Sequence, residues 1–300
     1  MSYLRKFNTK SDYQDSLYNL PEGNVSLVGD EIIYYQAPPA KVGDVAYWNG
    51  YKVKTIPVNK YSASLGTAIG VVVVPEGFAP DGKIRIIGLN SVDANGNQST
   101  SHVSMVLGGY DTDTSLTNYT KMPTTDNAGS TSTGSNSYGY LPSDSFTGTT
   151  SFVDTKAKYS ETSNLIPSPY LGDTPNPEYY KTISGNNALS DFNGLSNTQT
   201  LDALGSGYTA ANAAWKYKDS SSDLQWYLPG MGELGYVMPR FNEINATITA
   251  LGGLAVASSG GFWSSSECSS NNAYCMYASN GGVSNLNKNN SNYVRPFAIL

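Results

Sequence analysis

Charge is scarce in this chain of 300 residues. Asp, Glu, Lys and Arg make up 14% of it, against about 25% in an ordinary soluble domain. The 24 acids and 18 bases leave a net charge of −6. A nucleic-acid footprint needs a basic stripe, so that partner class is excluded. There is one histidine, His102, which removes chemistry built on histidine pairs. Its setting, Thr100-Ser101-His102-Val103-Ser104, alternates as a strand does and predicts a histidine on a polar strand face. The two cysteines, Cys268 and Cys275, form no CxxC, and no second cluster supplies metal ligands. Neither GxGxxG nor GxxxxGK[ST] occurs, so nucleotide binding has no support. No window of 18 apolar residues exists that could span a membrane. Met1–Phe7 has no apolar run behind its charges, which argues against a secretory signal peptide. These absences predict a protein without metal or cofactor, not inserted in a membrane, and not an enzyme.

What the chain does hold is an apolar fraction of 39%, 30 Gly and 23 Tyr. Residues 1–40 read as a small attachment or oligomerisation segment. Ser11-Asp12 caps a short helix through Leu20, and Asn24–Val28 with Glu31–Gln36 forms a hairpin around Gly29-Asp30. Residues 41–300 read as one α+β domain. Its first part is β: Asp44–Trp48 and Tyr51–Val58 about the turn Asn49-Gly50, the buried run Ala68–Val74, then Lys83–Leu89 and His102–Leu107. Residues 109–185 read as a long Ser/Thr/Gly-rich surface insertion. Helices follow over Ser196–Leu204, Thr209–Tyr217, Met231–Met238 and Phe241–Leu251, the last stopped by Gly252-Gly253. The end is β again: Phe262–Ser266, Ala273–Ala278, Gly282–Leu286 and Tyr293–Ile299.

That last stretch is compositionally odd. Ser264–Tyr293 holds eight Asn, eight Ser and three Tyr. Such a segment would ordinarily be disordered, yet Phe262-Trp263 and Val294-Arg295-Pro296-Phe297 bound it with core-like residues. A polar ribbon between anchored strands reads as a displayed surface. Trp226 and Trp263 read as core aromatics, Pro229 as a helix-start proline, and Glu233 as a partner of that helix N-terminus. Arg295 is expected to pair with a buried carboxylate, Glu233 or Glu267.

The order Trp226-Tyr227-Leu228-Pro229, Glu233-Leu234, Phe262-Trp263-Ser264-Ser265-Ser266-Glu267, Val294-Arg295-Pro296 resembles the C-type-lectin-like fold in its formylglycine-generating-enzyme-type branch. It is similar to C-terminal domains of collagen-like adhesins and to gut Bacteroides proteins. Gly43–Trp48 and Ala68–Val72 resemble the opening strands of that group. Within it, the oxidising enzymes would use cysteines near the C-terminus, but the Arg-Gly-Gly-Ser-Trp type of motif is missing. The calcium-dependent lectin motifs Glu-Pro-Asn, Gln-Pro-Asp and Trp-Asn-Asp are missing too, so calcium is not implied.

Residues 262–300 resemble the variable region that a diversity-generating retroelement rewrites. An Asn codon with free adenines reaches Ser, Tyr, Cys, Gly, Leu, Asp and His without a stop, but not Trp, Glu, Lys, Met or Gln. Cys268, Ser270, Asn272, Tyr274, Cys275, Tyr277, Asn280, Gly282, Leu286 and Asn290 are reachable and form the expected ligand-binding set. Trp263, Glu267, Met276 and Lys288 are not, and would be fixed framework. The two cysteines then read as chance outcomes rather than a disulfide. Tyr, Ser, Gly and Asn are also the vocabulary of antibody paratopes. The resemblance implies a non-enzymatic receptor-binding or host-attachment protein of a virion, taking a host cell-surface protein or glycan. Tyr3–Phe7 and Gly23–Val28 faintly resemble the N-termini of virion proteins of Bacteroides phages. Residues 1–40 would engage other virion proteins or form a homo-oligomer, a trimer being favoured. The alternative carrier is a bacterial surface adhesin.

Overall fold

The computed structural model describes residues 39–119, 188–279 and 282–300, together with short strands at 5–7, 25–28, 31–34, 138–140, 158–159 and 166–167. The chain divides into two compact units, Met1–Ala40 and Lys41–Leu300. In the first, β1 (Arg5–Phe7) lies parallel to β2 (Val25–Val28), and β2 pairs antiparallel with β3 (Glu31–Tyr34). The hairpin around Gly29-Asp30 is therefore present. The helix expected over residues 11–20 lies outside the described residues.

The second unit is mixed α+β. Its strands, in chain order, begin with β4 (Val45–Trp48), β5 (Val53–Ile56), β6 (Thr67–Val74), β7 (Arg85–Gly88), β8 (Ser91–Val92), β9 (Gln98–Ser99) and β10 (Ser104–Val106). From the insertion come β11 (Tyr138–Tyr140), β12 (Lys158–Tyr159) and β13 (Ile166–Pro167). Four helices follow: α1 (Gly194–Ala203), α2 (Thr209–Lys216), α3 (Met231–Leu234) and α4 (Phe241–Ala250). β14 (Trp226–Tyr227) lies between α2 and α3, and β15 (Gly261–Glu267), β16 (Asn272–Tyr277), β17 (Gly282–Asn287), β18 (Ser291–Tyr293) and β19 (Phe297–Ile299) close the chain.

Two six-stranded sheets organise these strands. One runs β14-β19-β7-β6-β4-β5, the other β10-β18-β15-β16-β17-β11. β6 is central in the first because its apolar run is buried from Ile69 to Val74. Gly70 lets it approach β7, since a Cβ there would lie 2.6 Å from the Ile87 carbonyl. The core joins both sheets to the helices: Val71 and Val73 of β6, Ile244 and Ile248 of α4, Phe262 of β15, Tyr274 and Met276 of β16, and Phe297 of β19. α4 ends as its sequence predicts. Gly252, at φ +73°, donates to the Thr249 carbonyl at 3.0 Å, and Gly253 donates to that of Ile248 at 2.9 Å. This is a Schellman motif.

Three expectations about local structure change. The turn after β4 occupies residues 49–52 rather than Asn49-Gly50 alone. The Asn49 side chain accepts from the Tyr51 and Lys52 amides at 3.0 and 2.9 Å, so asparagine closes the turn through its side chain. His102 precedes β10 in a loop, half-buried, with its ring 5.2 Å from that of Tyr293. The segment expected as one strand over Tyr293–Ile299 is two strands in different sheets. Val294-Arg295-Pro296 carries the chain from one sheet to the other; Pro296 has no amide to give a ladder, and its carbonyl accepts from Gly88 at 2.9 Å.

His102 carries a clear test. Burial, then the positive Arg295, pull its pKa below 6.5. A group depressed on folding contributes stability above its unfolded pKa and loses it as pH falls through the folded one. With one histidine in the chain, a single imidazole resonance should titrate below pH 6.5 in the folded protein and near it in urea. Equal midpoints would contradict the burial argument.

Candidate functional site

The polar ribbon is built as three antiparallel strands, β15, β16 and β17. Alternation sends Phe262, Tyr274, Met276 and Val283 into the core. β15 itself is polar yet buried along its whole length, and its hydroxyls explain why. Ser264 donates to the Tyr274 carbonyl at 2.8 Å, and Ser266 donates to Asp191 at 2.5 Å while accepting from the Met231 amide at 2.8 Å. The serines thus satisfy buried groups, including a free amide at the start of α3.

The exposed part of the ribbon is one end of the sheet, where two turns meet. β15 returns into β16 through residues 268–271, and β17 into β18 through residues 288–290. The turns are tied together by Lys288 N–H to the Asn271 carbonyl, 2.9 Å. Ser269 Oγ accepts from the amides of Asn271 and Asn272 at 3.2 and 3.1 Å, and Asn287 Oδ1 accepts from that of Asn289 at 2.9 Å. Part of the Asn and Ser excess is therefore turn chemistry, side chains closing tight backbone loops. Asn289, Asn290 and Ser291 are exposed, and Cys268, Ser269, Ser270, Asn271 and Asn272 are half-buried.

Beneath this end lies a buried ion pair. Lys288 Nζ is 2.7 Å from Glu267 Oε1, with both side chains enclosed. Thr114 donates to Glu267 Oε2 at 2.5 Å, and the Tyr119 amide donates to the Glu267 carbonyl at 2.8 Å. The segment 108–119 is thereby fixed beside the turns. Gly108 donates to the Lys288 carbonyl at 3.0 Å, and Tyr110 then projects 44% exposed. Asp111 and Ser115 sit at φ +60° and +59°, where side chains other than glycine are uncommon. Sequence reasoning missed Tyr110; the signal was Gly108-Gly109 directly before an aromatic residue.

The ten expected ligand-binding residues therefore divide. Asn290 is exposed, and Cys268, Ser270, Asn272, Tyr277 and Leu286 are half-buried. Tyr274, Cys275 and Gly282 are buried, which corrects the expectation that they are displayed. Tyr274 faces the core and donates to the Tyr119 carbonyl at 2.7 Å; burial pushes the Cys275 thiol up to about 12. Asn280 lies outside the described residues. Both cysteines are free thiols, and Asn285 Nδ2 donates to Cys268 Sγ at 3.3 Å.

The framework residues also differ in part from expectation. Trp226 and Trp263 are buried, their indole N–H groups on Asp219 and the Met105 carbonyl, each at 2.9 Å. Glu233 accepts from the Gly230 amide at 2.8 Å at the start of α3. Arg295 pairs with neither Glu233 nor Glu267. Arg85 holds Glu233 at 3.0 Å and Lys288 holds Glu267. Burial raises the Glu233 carboxyl to about 7 against the pull of Arg85 and the Gly230 amide.

Among the described residues no group of three His, Cys, Asp or Glu side chains could hold a metal ion, and no helix is long and apolar enough to cross a membrane. An open, largely apolar groove of about 390 Å³ lies elsewhere, lined by residues that include Trp48, Tyr51, Leu224 and Leu300; none of the ten expected residues lines it.

No family model matches the chain, and no curated protein does. Among solved structures it is similar to a fimbrial protein from Bacteroides ovatus, at 14% identity and a TM-score of 0.45, over 92% of this chain and 51% of that one. The chain thus spans about half the length of that protein. None of these comparisons bears on a virion carrier or on a retroelement.

Proposed function

We propose that this chain is a non-enzymatic binding protein of the adhesin kind, with a lectin-like domain that presents the paired turns around Ser270 and Asn289 to a surface protein or glycan. The observation that carries the reading is the division between support and display. A buried ion pair, Glu267–Lys288, fixes the sheet end from below, while the residues above it are uncharged, polar and accessible. Exposed positions can change at small folding cost, usually within about 0.5 kcal/mol, so contacts at this end can vary over a constant frame. Asn and Ser offer adaptable hydrogen bonds, and Tyr110 adds an aromatic face. The carrier in this reading is a bacterial surface, and a virion carrier would use the same end in the same way. In either case residues 1–40 would supply attachment or self-association, a trimer being the expected form.

The test uses the full chain and a charge-bearing variant of the turn, Asn289→Lys with Asn290→Lys. Both should melt within about 1 °C of each other, since surface changes of this kind cost little. Binding of the labelled variant to bacterial cells or to a glycan array should fall at least tenfold. Undiminished binding by the variant would place the contact elsewhere. Turnover of a cysteine-containing sulfatase peptide to formylglycine, lost on Cys268→Ser, would replace the binding reading with an enzymatic one. Repeats of the coding segment for residues 262–300 near the gene, differing at adenines only, would add the retroelement.

A further inference from the structure

Arg295 is the one buried cation without a carboxylate beside it among the described residues. Arg85 has Asp81 and Glu233, and Lys288 has Glu267. Arg295 is 2% exposed at the crossover between the two sheets. One of its terminal nitrogens donates to the Leu254 carbonyl. Its Nε and Nη1 are enclosed and have no acceptor.

Tyr293, two residues before Arg295, packs its ring 5.2 Å from that of His102 and so brings the loop ahead of β10 to this crossover; the two titratable groups that feel the Arg295 charge are not negative. Tyr217 is buried, and its hydroxyl, pushed up to about 12 by burial and Asp219, is neutral at physiological pH. The other is His102, whose Nδ1 is likewise enclosed without a partner. Burying a charge without a counter-charge is costly, and a guanidinium does not escape by losing its proton at neutral pH. The favourable arrangement is one in which a negative group completes the site. The completing group must be small, because Nε and Nη1 are themselves enclosed by protein.

We infer that Arg295 and His102 frame a binding site for one small inorganic anion of the halide class, with the Nε and Nη1 groups of Arg295 as its charged donors. His102 donates from Nδ1 when that nitrogen carries its proton. A bound anion would join the Val294–Pro296 crossover to the loop ahead of β10 and to the Leu254 carbonyl segment, closing a seam between the two sheets. The site is separate from the polar turns and does not depend on what they bind.

The full chain should be melted in chloride or bromide, with ionic strength held constant by gluconate, whose size excludes it. The melting temperature should rise with halide and saturate, as a ligand selective for the folded state requires. Halide should also move the single His102 imidazole resonance with the same saturation. His102→Asn should weaken the halide response about tenfold, the worth of one charge-assisted hydrogen bond, and Arg295→Met should abolish it. A crystal grown in bromide should show one anomalous peak beside Arg295. A melting temperature indifferent to halide, or an unchanged response in Arg295→Met, would overturn the proposal. Should Arg295→Met fail to fold, the imidazole titration decides alone: no saturable shift with halide rejects the site.

Discussion

Lys288→Ala should destabilise the protein by about 3–5 kcal/mol, a large share of the roughly 5–15 kcal/mol that holds a domain folded. The reason is the carboxylate left behind. Glu267 is 2% exposed, and without Lys288 its charge would keep, among the described residues, only the Thr114 hydroxyl. The same deletion should loosen the turn at residues 287–290 and the segment beginning at Gly108, because the Lys288 backbone, which donates to Asn271 and accepts from Gly108, is itself held in place by the buried side-chain pair. Replacing both partners by neutral groups of similar shape, Lys288→Met with Glu267→Gln, should recover most of the loss. Urea melts of Lys288→Met, Glu267→Gln and the double measure the coupling. If the double variant is as unstable as the sum of the singles, the pair is not the support proposed for the sheet end.

Secondary structure was legible where the periodicity was long. The run Ala68–Val74 could only be a strand buried on both faces, and Ile244, Ile248 and the glycines after them marked α4 and its end. Ion pairing was not legible, because partners far apart in sequence are chosen by topology. Arg295 was the cation nearest the motif residues, yet Arg85 reaches Glu233 across 148 residues. The sheet order places β7 beside β19, which pairs on its other side with β14, and no local pattern announces that. The ribbon misled in another way. Its composition suggested a uniformly displayed surface, but β15 is buried along its whole length and β16 from Ala273 to Met276, so both faces of these strands are covered. Tyr274 is reachable from an Asn codon and still belongs to the core. Codon arithmetic tests what a gene could encode; burial decides which of those positions meet a ligand.

Gly108→Ala should be among the most damaging single-methyl additions in the chain, costing about 4 kcal/mol or more. Two separate effects combine there. Gly108 has φ +90°, a conformation side-chain-bearing residues avoid at a cost of about 1–2 kcal/mol. In addition, a Cβ would fall 1.8 Å from the Gly207 carbonyl oxygen, so backbone must move. Gly50 separates the two effects. It has φ +89° and nothing within 4 Å of the added carbon, so Gly50→Ala should cost only the conformational part. The steric part at Gly108 has a specific consequence. Displacing this residue breaks its hydrogen bond to the Lys288 carbonyl and uncouples the loop that carries Tyr110 from the Asn289–Asn290 turn. Amide exchange at that turn should therefore accelerate in Gly108→Ala beyond what its global stability explains, and stay unchanged in Gly50→Ala. Equal costs at the two glycines, with no local acceleration, would mean that segment 108–116 packs loosely and does not shape the sheet end.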